Sequence, residues 1–155
     1  MVRYTDLPDY EQDHMVFLAK DCVTLEPAPW VDGPTLAERR VAIVTTAGLQ
    51  RRGDRPFSKG AGDFRIIPGD YDAADLVMSH ISVNFDRVGF QQDWNIVFPI
   101  DRLRELAADG VIGSVADYHY SFLGSTKPDE LETSARHLAG ILKEDAVDAV
   151  LLVPI

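Results

Sequence analysis

The chain has 155 residues, 46% of them hydrophobic and 26% charged, which is the size and composition of one soluble globular domain. Its formal net charge of −10 argues against a nucleic-acid partner or an anionic membrane surface, because binding to phosphates requires basic residues. The longest apolar run, at the C-terminal end, is far shorter than the roughly 20 residues that span a bilayer. A single cysteine, Cys22, excludes an internal disulfide or a cysteine-based zinc site. We expect a cytoplasmic protein.

The N-terminal residues 1–35 are acidic and contain four prolines, Pro8, Pro27, Pro29 and Pro34. This composition predicts an irregular arm that precedes a single domain over residues 36–155. Within the arm, the spacing of Met15, Leu18 and Ala19 indicates a short helix.

The first predicted strand lies in "RRVAIVTTAG", whose apolar run Val41–Val44, β-branched at every position but Ala42, is typical of a central parallel strand. The strand leads into a long loop predicted over Gly48–Asp63, and loops of that length are often functional. Two more strands are predicted in "FRIIPGD", which closes with a Pro-Gly turn, and in "ADLVMSHISV", which ends near His80.

Two helices follow. "FPIDRLRELAADG" has Pro99 near its first turn and Gly110 as the residue after its end. "GSTKPDELETSARHLAGILKEDA" has Thr126 three residues before Asp129, the spacing of a capping pair. The chain closes with "VDAVLLVPI", which reads as a strand buried on both faces. Apolar strands that alternate with amphipathic helices predict an α/β fold, a three-layer sandwich with a mainly parallel sheet.

In such folds ligands bind beyond the carboxyl ends of the strands. The residues predicted to lie there are Thr45, Thr46, His80, Asn84, Asp86, His119, Tyr120 and Ser121. A histidine is the side chain best suited to proton transfer near neutral pH, although a backbone hydrogen bond at a strand end is an alternative role for His80. Strand alternation puts His119 and Ser121 on one sheet face and Tyr120 on the other. That polar face either lines a pocket or faces solvent.

Other chemistries have weaker signals. Arg51 and Arg55 lie in the basic loop "LQRRGDRPFSKG", which is either a clamp for a carboxylate or a solvated loop. His80, His119 and Asp86 lack the characteristic spacing of a metal site, so no metal is expected. The chain contains neither a "GxSxG" hydrolase elbow nor a P-loop.

Several stretches together resemble the selenoprotein B type subunit of the glycine, sarcosine, betaine and D-proline reductases. They are "RRVAIVTTAGL", "DLVMSHISVNFD", "WNIVFPIDRLRELAADGVIGSVADYHYSFLG" and "AVDAVLLVPI". The resemblance runs from about Arg40 to Ile155. It implies reductive cleavage of a C–N bond in a small amino acid or betaine, with a selenolate or thiolate as nucleophile and, in several members, a pyruvoyl group on a partner subunit.

This chain departs from the family pattern in one respect. The resemblance places the nucleophile just after the "LLVP" strand, whereas the sequence stops at Ile155, and Cys22 lies outside the similar region. We expect either a stop at a selenocysteine codon or a natural subunit whose partner supplies the chemistry. In both cases an open sheet edge predicts a homo- or hetero-oligomer.

The leading interpretation is a subunit or truncated form of a reductase for a small-molecule substrate, with no cofactor in this chain. His80, Asp86, His119 and Ser121 are the catalytic candidates, and one of the two histidines protonates the leaving amine. The substrate-binding candidates are Thr45, Thr46, Arg51, Arg55, Asn84 and Tyr120. The alternative is a non-catalytic binding or structural subunit of a hetero-oligomeric enzyme.

Overall fold

A computed structural model describes residues 3–20, 22, 31–81 and 87–155. The chain divides into two compact units, Met1–Val31 and Asp32–Ile155. In the first unit, helix α1 spans Asp9–Ala19 and has no buried residue. The helix expected from the apolar spacing is therefore present, whereas the irregular acidic arm stays a prediction.

The second unit is built on a mainly parallel sheet. Its central strand β1, Arg40–Thr45, is parallel to β7, Ala149–Val153, along one side. Along its other side, β1 is parallel first to β5, Ser114–Val115, and then to β6, Tyr118–Ser121. Strand β3, Arg65–Pro68, is antiparallel to β6. The prediction of an α/β fold with a mainly parallel sheet is confirmed.

Two further strands lie outside this sheet. Strands β2, Leu49–Arg51, and β4, Leu76–Met78, form a separate antiparallel pair. The loop predicted over Gly48–Asp63 was wrong at its start, where the chain forms β2. The strand predicted in "ADLVMSHISV" is present as β4, but it is short and does not join the main sheet. The physical reason is that antiparallel pairing with β2, from Leu49 opposite Met78 to Arg51 opposite Leu76, provides the backbone partners of β4.

Among the described residues of the second unit, the α-helices are α2, Val88–Gln92; α3, Ile100–Ala108; and α4, Pro128–Glu144. Helix α3 begins directly after Pro99, and Gly110 beyond its end has a φ of +70°, as expected of a glycine after a helix.

The predicted capping pair of α4 was wrong. The Thr126 hydroxyl donates to the Ala61 carbonyl at 2.8 Å, and the residue at the helix cap is Lys127. Pro128 begins the helix, where a missing N–H costs nothing.

The sheet has a hydrophobic core on each face. The α3-side core contains Ile43, Leu49, Ile100 and Leu103 among its buried residues. The α4-side core is formed by Tyr120, Phe122 and Leu138. The three-layer sandwich stays a prediction. In the part of the chain that the structure describes, no helix is long and apolar enough to cross a membrane.

The prediction that the closing strand is buried on both faces was wrong. In β7, Val150 and Leu151 are 38% exposed and Leu152 is 69% exposed. The reason is that β7 pairs with β1 alone among the described strands, so its other side faces outward.

Candidate functional site

The carboxyl ends of β1, β6 and β7 meet around Thr46. The Thr46 amide donates to the carbonyl of Val153 at 3.1 Å, and the Gly124 amide donates to the carbonyl of Thr46 at 2.8 Å. The Thr46 hydroxyl accepts from the Ile155 amide at 2.8 Å and lies 3.3 Å from the Ile155 carbonyl oxygen, to which it donates. Thr46, predicted to bind substrate, thus fixes the backbone that leaves β7.

Gly124 completes this arrangement because it has no side chain. A Cβ atom there would lie 2.6 Å from the Ile155 carbonyl oxygen and 2.9 Å from that of Thr46. Such contacts are too short for any other residue without movement of the strand ends. Gly124 was not among the predicted site residues, although a glycine in "FLGST", directly after a strand, is a signal of close backbone approach.

His80 reaches the same place from the segment after β4. The Ser79 amide donates to the Gly48 carbonyl at 2.8 Å, and a Cβ on Gly48 would lie 3.2 Å from the backbone nitrogen of His80. The His80 residue is only 5% exposed. Burial lowers the pKa of its imidazole, hydrogen bonding to the Ile155 backbone acts in the opposite direction, and the charge of Arg87 lowers the pKa further. The imidazole is therefore predominantly neutral at pH 7.

Thr46, His80, Gly124 and Ile155 together form the strand-end site. The site combines one buried, titratable side chain with backbone groups held at the carboxyl ends of three parallel strands. Such an arrangement can exchange a proton with a group that lies against the imidazole. The predicted partners Asn84 and Asp86 lie outside the described residues.

His119 has a different environment, in the α3-side core. Its Nδ1 accepts a hydrogen bond from the Ile43 amide at 2.9 Å, and its ring packs edge-on against Phe98 with the centroids 5.5 Å apart. Among the described residues its Nε2 has no hydrogen-bond partner. Burial, followed by the charges of Arg104 and Arg40, lowers the pKa of His119 to about 4. A fully buried, neutral imidazole bound to backbone is a poor proton donor, and the catalytic role of His119 stays a prediction.

The buried hydroxyls beside it are also bound to backbone. The Ser121 Oγ accepts from the Leu49 amide at 2.7 Å, and the Thr45 Oγ1 accepts from the Ala47 amide at 3.2 Å. Tyr120 faces the α4-side core, where its ring meets Phe64 edge-on at 5.8 Å. The alternation that separates Tyr120 from His119 and Ser121 is as predicted, and their roles at a site stay predictions.

The two arginines predicted to bind substrate, Arg51 and Arg55, do not converge on the strand-end site through any described contact. Arg51 forms a two-pronged ion pair with Asp54, both contacts at 3.0 Å, and this pairing lowers the pKa of the Asp54 carboxyl. The backbone carbonyl of Arg55 accepts from Arg65 at 3.1 Å. The described residues contain no group of three or more His, Cys, Asp or Glu side chains placed to hold a metal ion.

Fold and site thus define a mixed α/β protein with a buried histidine at the carboxyl ends of its parallel strands. The family model for the glycine/sarcosine/betaine reductase selenoprotein B matches residues 12–154. The chain belongs to this family, which confirms the resemblance found in the sequence. No solved structure matches the chain.

Three curated relatives illustrate the similarity. The D-proline reductase subunit gamma of Acetoanaerobium sticklandii is 39% identical over 121 residues, which cover 76% of this chain and 49% of the relative. The glycine reductase complex component B subunit gamma of Carboxydothermus hydrogenoformans is 34% identical, over 76% of this chain and 28% of the relative. The sarcosine reductase complex component B subunit beta of Peptoclostridium acidaminophilum is also 34% identical, with the same coverage. The chain thus spans half or less of the length of these relatives.

Proposed function

We propose that this chain is a subunit of a reductase complex that cleaves a C–N bond in a small amino acid or betaine, and that it contributes the strand-end site to that reaction. One observation carries the proposal: the buried imidazole of His80 lies against the backbone of Ile155, where the parallel strands end. The names of the relatives, which are subunits of D-proline, glycine and sarcosine reductases, support the reaction class.

In the proposed reaction a selenolate or thiolate, supplied by a partner, attacks carbon as the C–N bond breaks. The leaving nitrogen keeps the bonding electron pair and needs a proton. His80 is the proposed donor. Because burial holds its pKa low, the imidazole becomes protonated only when an anion, such as the nucleophile or a substrate carboxylate, lies beside it and raises the pKa again.

A non-catalytic role is the second candidate, and a specific observation favours it. The functional groups of His119, Ser121 and Thr45 are engaged by backbone amides, so three of the predicted site residues already have structural roles. In this case the chain contributes contacts to the complex and a partner supplies all the chemistry.

The two candidates are separated by His80→Gln in the assembled complex, with formation of the reduced cleavage product followed from D-proline, glycine, sarcosine and betaine. Loss of a general acid lowers kcat by about 10²- to 10⁴-fold, whereas glutamine keeps a hydrogen-bond donor beside Ile155. The matched control is His137→Gln, at an exposed position of α4, which should leave kcat unchanged. If His80→Gln also turns over at the wild-type rate, the non-catalytic role is correct.

A further inference from the structure

Strand β7 presents an outer side that no described strand covers. Its inner side pairs with β1 from Ala149 to Val153. Because the Val153 carbonyl accepts from Thr46, and backbone groups alternate between the two sides of a strand, the N–H and C=O groups of Val150 and Leu152 face outward. These two residues, together with Leu151, form the β7 edge.

The side chains of the β7 edge are apolar on both sheet faces. Leu152 is 69% exposed, and Val150 and Leu151 are 38% exposed. Natural proteins protect open edges with charged residues, proline or bulges, but the sequence from Ala149 to Val153 contains neither a charged residue nor a proline. An unprotected apolar edge beside the central strand of a sheet is suited to the addition of another strand.

The charge around the edge indicates the chemistry of the added strand. The exposed charged residues shortly before β7 are two carboxylates, Glu144 and Asp148, and one cation, Lys143; the Asp148 carboxylate also accepts from the Arg40 amide at 3.2 Å. The whole chain has a net charge of −10, so a second copy would be repelled, whereas a basic segment would be attracted.

We propose that the β7 edge binds an extended apolar strand of a different subunit, flanked by basic residues, which continues the sheet. This inference rests on the proposed function, since it assigns the strand to another subunit of the reductase complex. It accords with the names of relatives that are subunits of complexes.

The experiment measures binding of a short fluorescent peptide of alternating valine and threonine, with a lysine at each end, to the full chain. We expect saturable binding at low salt, and binding at least about tenfold weaker when glutamates replace the lysines. Absence of binding at about 1 mM chain, or equal binding of the two peptides, overturns the proposal. Since no turnover is measured, this failure is distinct from a failure of the proposed function.

Two variants locate the binding. Val150→Pro removes an outward N–H without removing a bond to β1, so it should keep the circular dichroism spectrum and lose the peptide. Leu152→Lys should also lose the peptide. Val111→Lys, which places a lysine at another exposed apolar position (43% exposed), should retain it. Peptide binding that survives Val150→Pro overturns the proposal. The proposal is also overturned if sedimentation velocity shows that the chain is a dimer and that Val150→Pro converts it to a monomer. In that case a second copy occupies the edge.

Discussion

At the scale of single residues, His119 fills a gap in the hydrogen-bonding ladder of the sheet. The neighbour of β1 changes from β5 to β6 between residues 115 and 118, and the Ile43 amide, which points into that interruption, would be left without a carbonyl partner. The imidazole Nδ1 accepts from it instead. A buried amide without a partner would cost about 1–3 kcal/mol, so this contact gives His119 a structural purpose.

The environment of His119 predicts a pH dependence of stability. Its pKa is about 4 in the folded chain and close to 6.5 when unfolded, so the unfolded state binds more protons between these values. The contribution of His119 to the free energy of unfolding is complete above pH 6.5 and is lost as the pH falls towards 4. The total loss is about 3 kcal/mol. Urea unfolding at a series of pH values should show this loss, to which the lowered pKa of His80 adds with the same sign.

The control is His119→Gln, whose amide oxygen can still accept from Ile43. This variant should flatten the decline between pH 6.5 and 5, before most carboxylates titrate. An unchanged slope in His119→Gln would contradict the buried, neutral state of the imidazole.

Gly124 gives a second prediction at this scale. A methyl group there would lie 2.6 Å from the Ile155 carbonyl oxygen, so Gly124→Ala should displace the end of β7 and lower the free energy of unfolding by about 1–3 kcal/mol. Gly140→Ala is the matched control: nothing lies within 4 Å of its Cβ position in α4, and the helix should gain about 0.5–1 kcal/mol. Equal unfolding midpoints for the two variants would refute the close approach at Gly124.

Strand alternation is a local property, and it was sufficient to place His119 and Ser121 on the face opposite Tyr120. It could not show that this face is covered, because the cover comes from Leu49 and Phe98, which are distant in sequence. Thr46 was identified as a site residue because it follows a buried strand. Its contact with Ile155 joins residues that are 109 positions apart, and the local sequence around neither residue predicts it.

At the scale of elements, the long periodic segments were predictable and the short ones were not. Pro99 and Gly110 mark the limits of α3, and the apolar run of β1 is unmistakable. The strands β2 and β4 have three residues each, too few for a period to emerge, and they form only because they pair with each other. The exposure of β7 also escaped prediction, since an apolar run predicts burial and not which neighbour is present.

Arg40 joins three elements at the opposite end of the sheet from the strand-end site. Its guanidinium lies 3.0 Å from both Asp117, after β5, and Asp145, after α4, and it also donates to the Asp145 carbonyl at 3.0 Å. Arg40 and Asp145 are 23% and 22% exposed, so Arg40→Met should cost about 2 kcal/mol, because it leaves Asp145 unpaired.

Arg136→Met is the matched control for this prediction. Arg136 pairs with Glu132 on the surface of α4, and both are largely exposed, so the midpoint of urea unfolding should hardly change. If Arg40→Met were as stable as Arg136→Met, the contacts of Arg40 would not hold the three elements together.

At the scale of the whole molecule, every buried hydrophobic residue among those described lies between Val41 and Leu138. Helix α1, by contrast, buries none of its residues. Since burial of apolar surface supplies most of the stability of a domain, the body should not depend on the first unit for its folding. The predicted division between an arm over residues 1–35 and a domain over residues 36–155 therefore means that the domain should fold without the arm.

A chain that begins at Asp32, the first residue of the second unit, tests that division. Its thermal unfolding, followed by circular dichroism, should remain a single cooperative transition with a midpoint within about 5 °C of that of the full chain. A chain that begins at Thr46 is the control: it lacks β1, the strand to which β5, β6 and β7 all bind, and should show no cooperative transition. A midpoint lowered by about 10 °C or more in the Asp32 chain would mean that residues before Asp32 contribute to the core, and the predicted arm would then be an integral part of the domain.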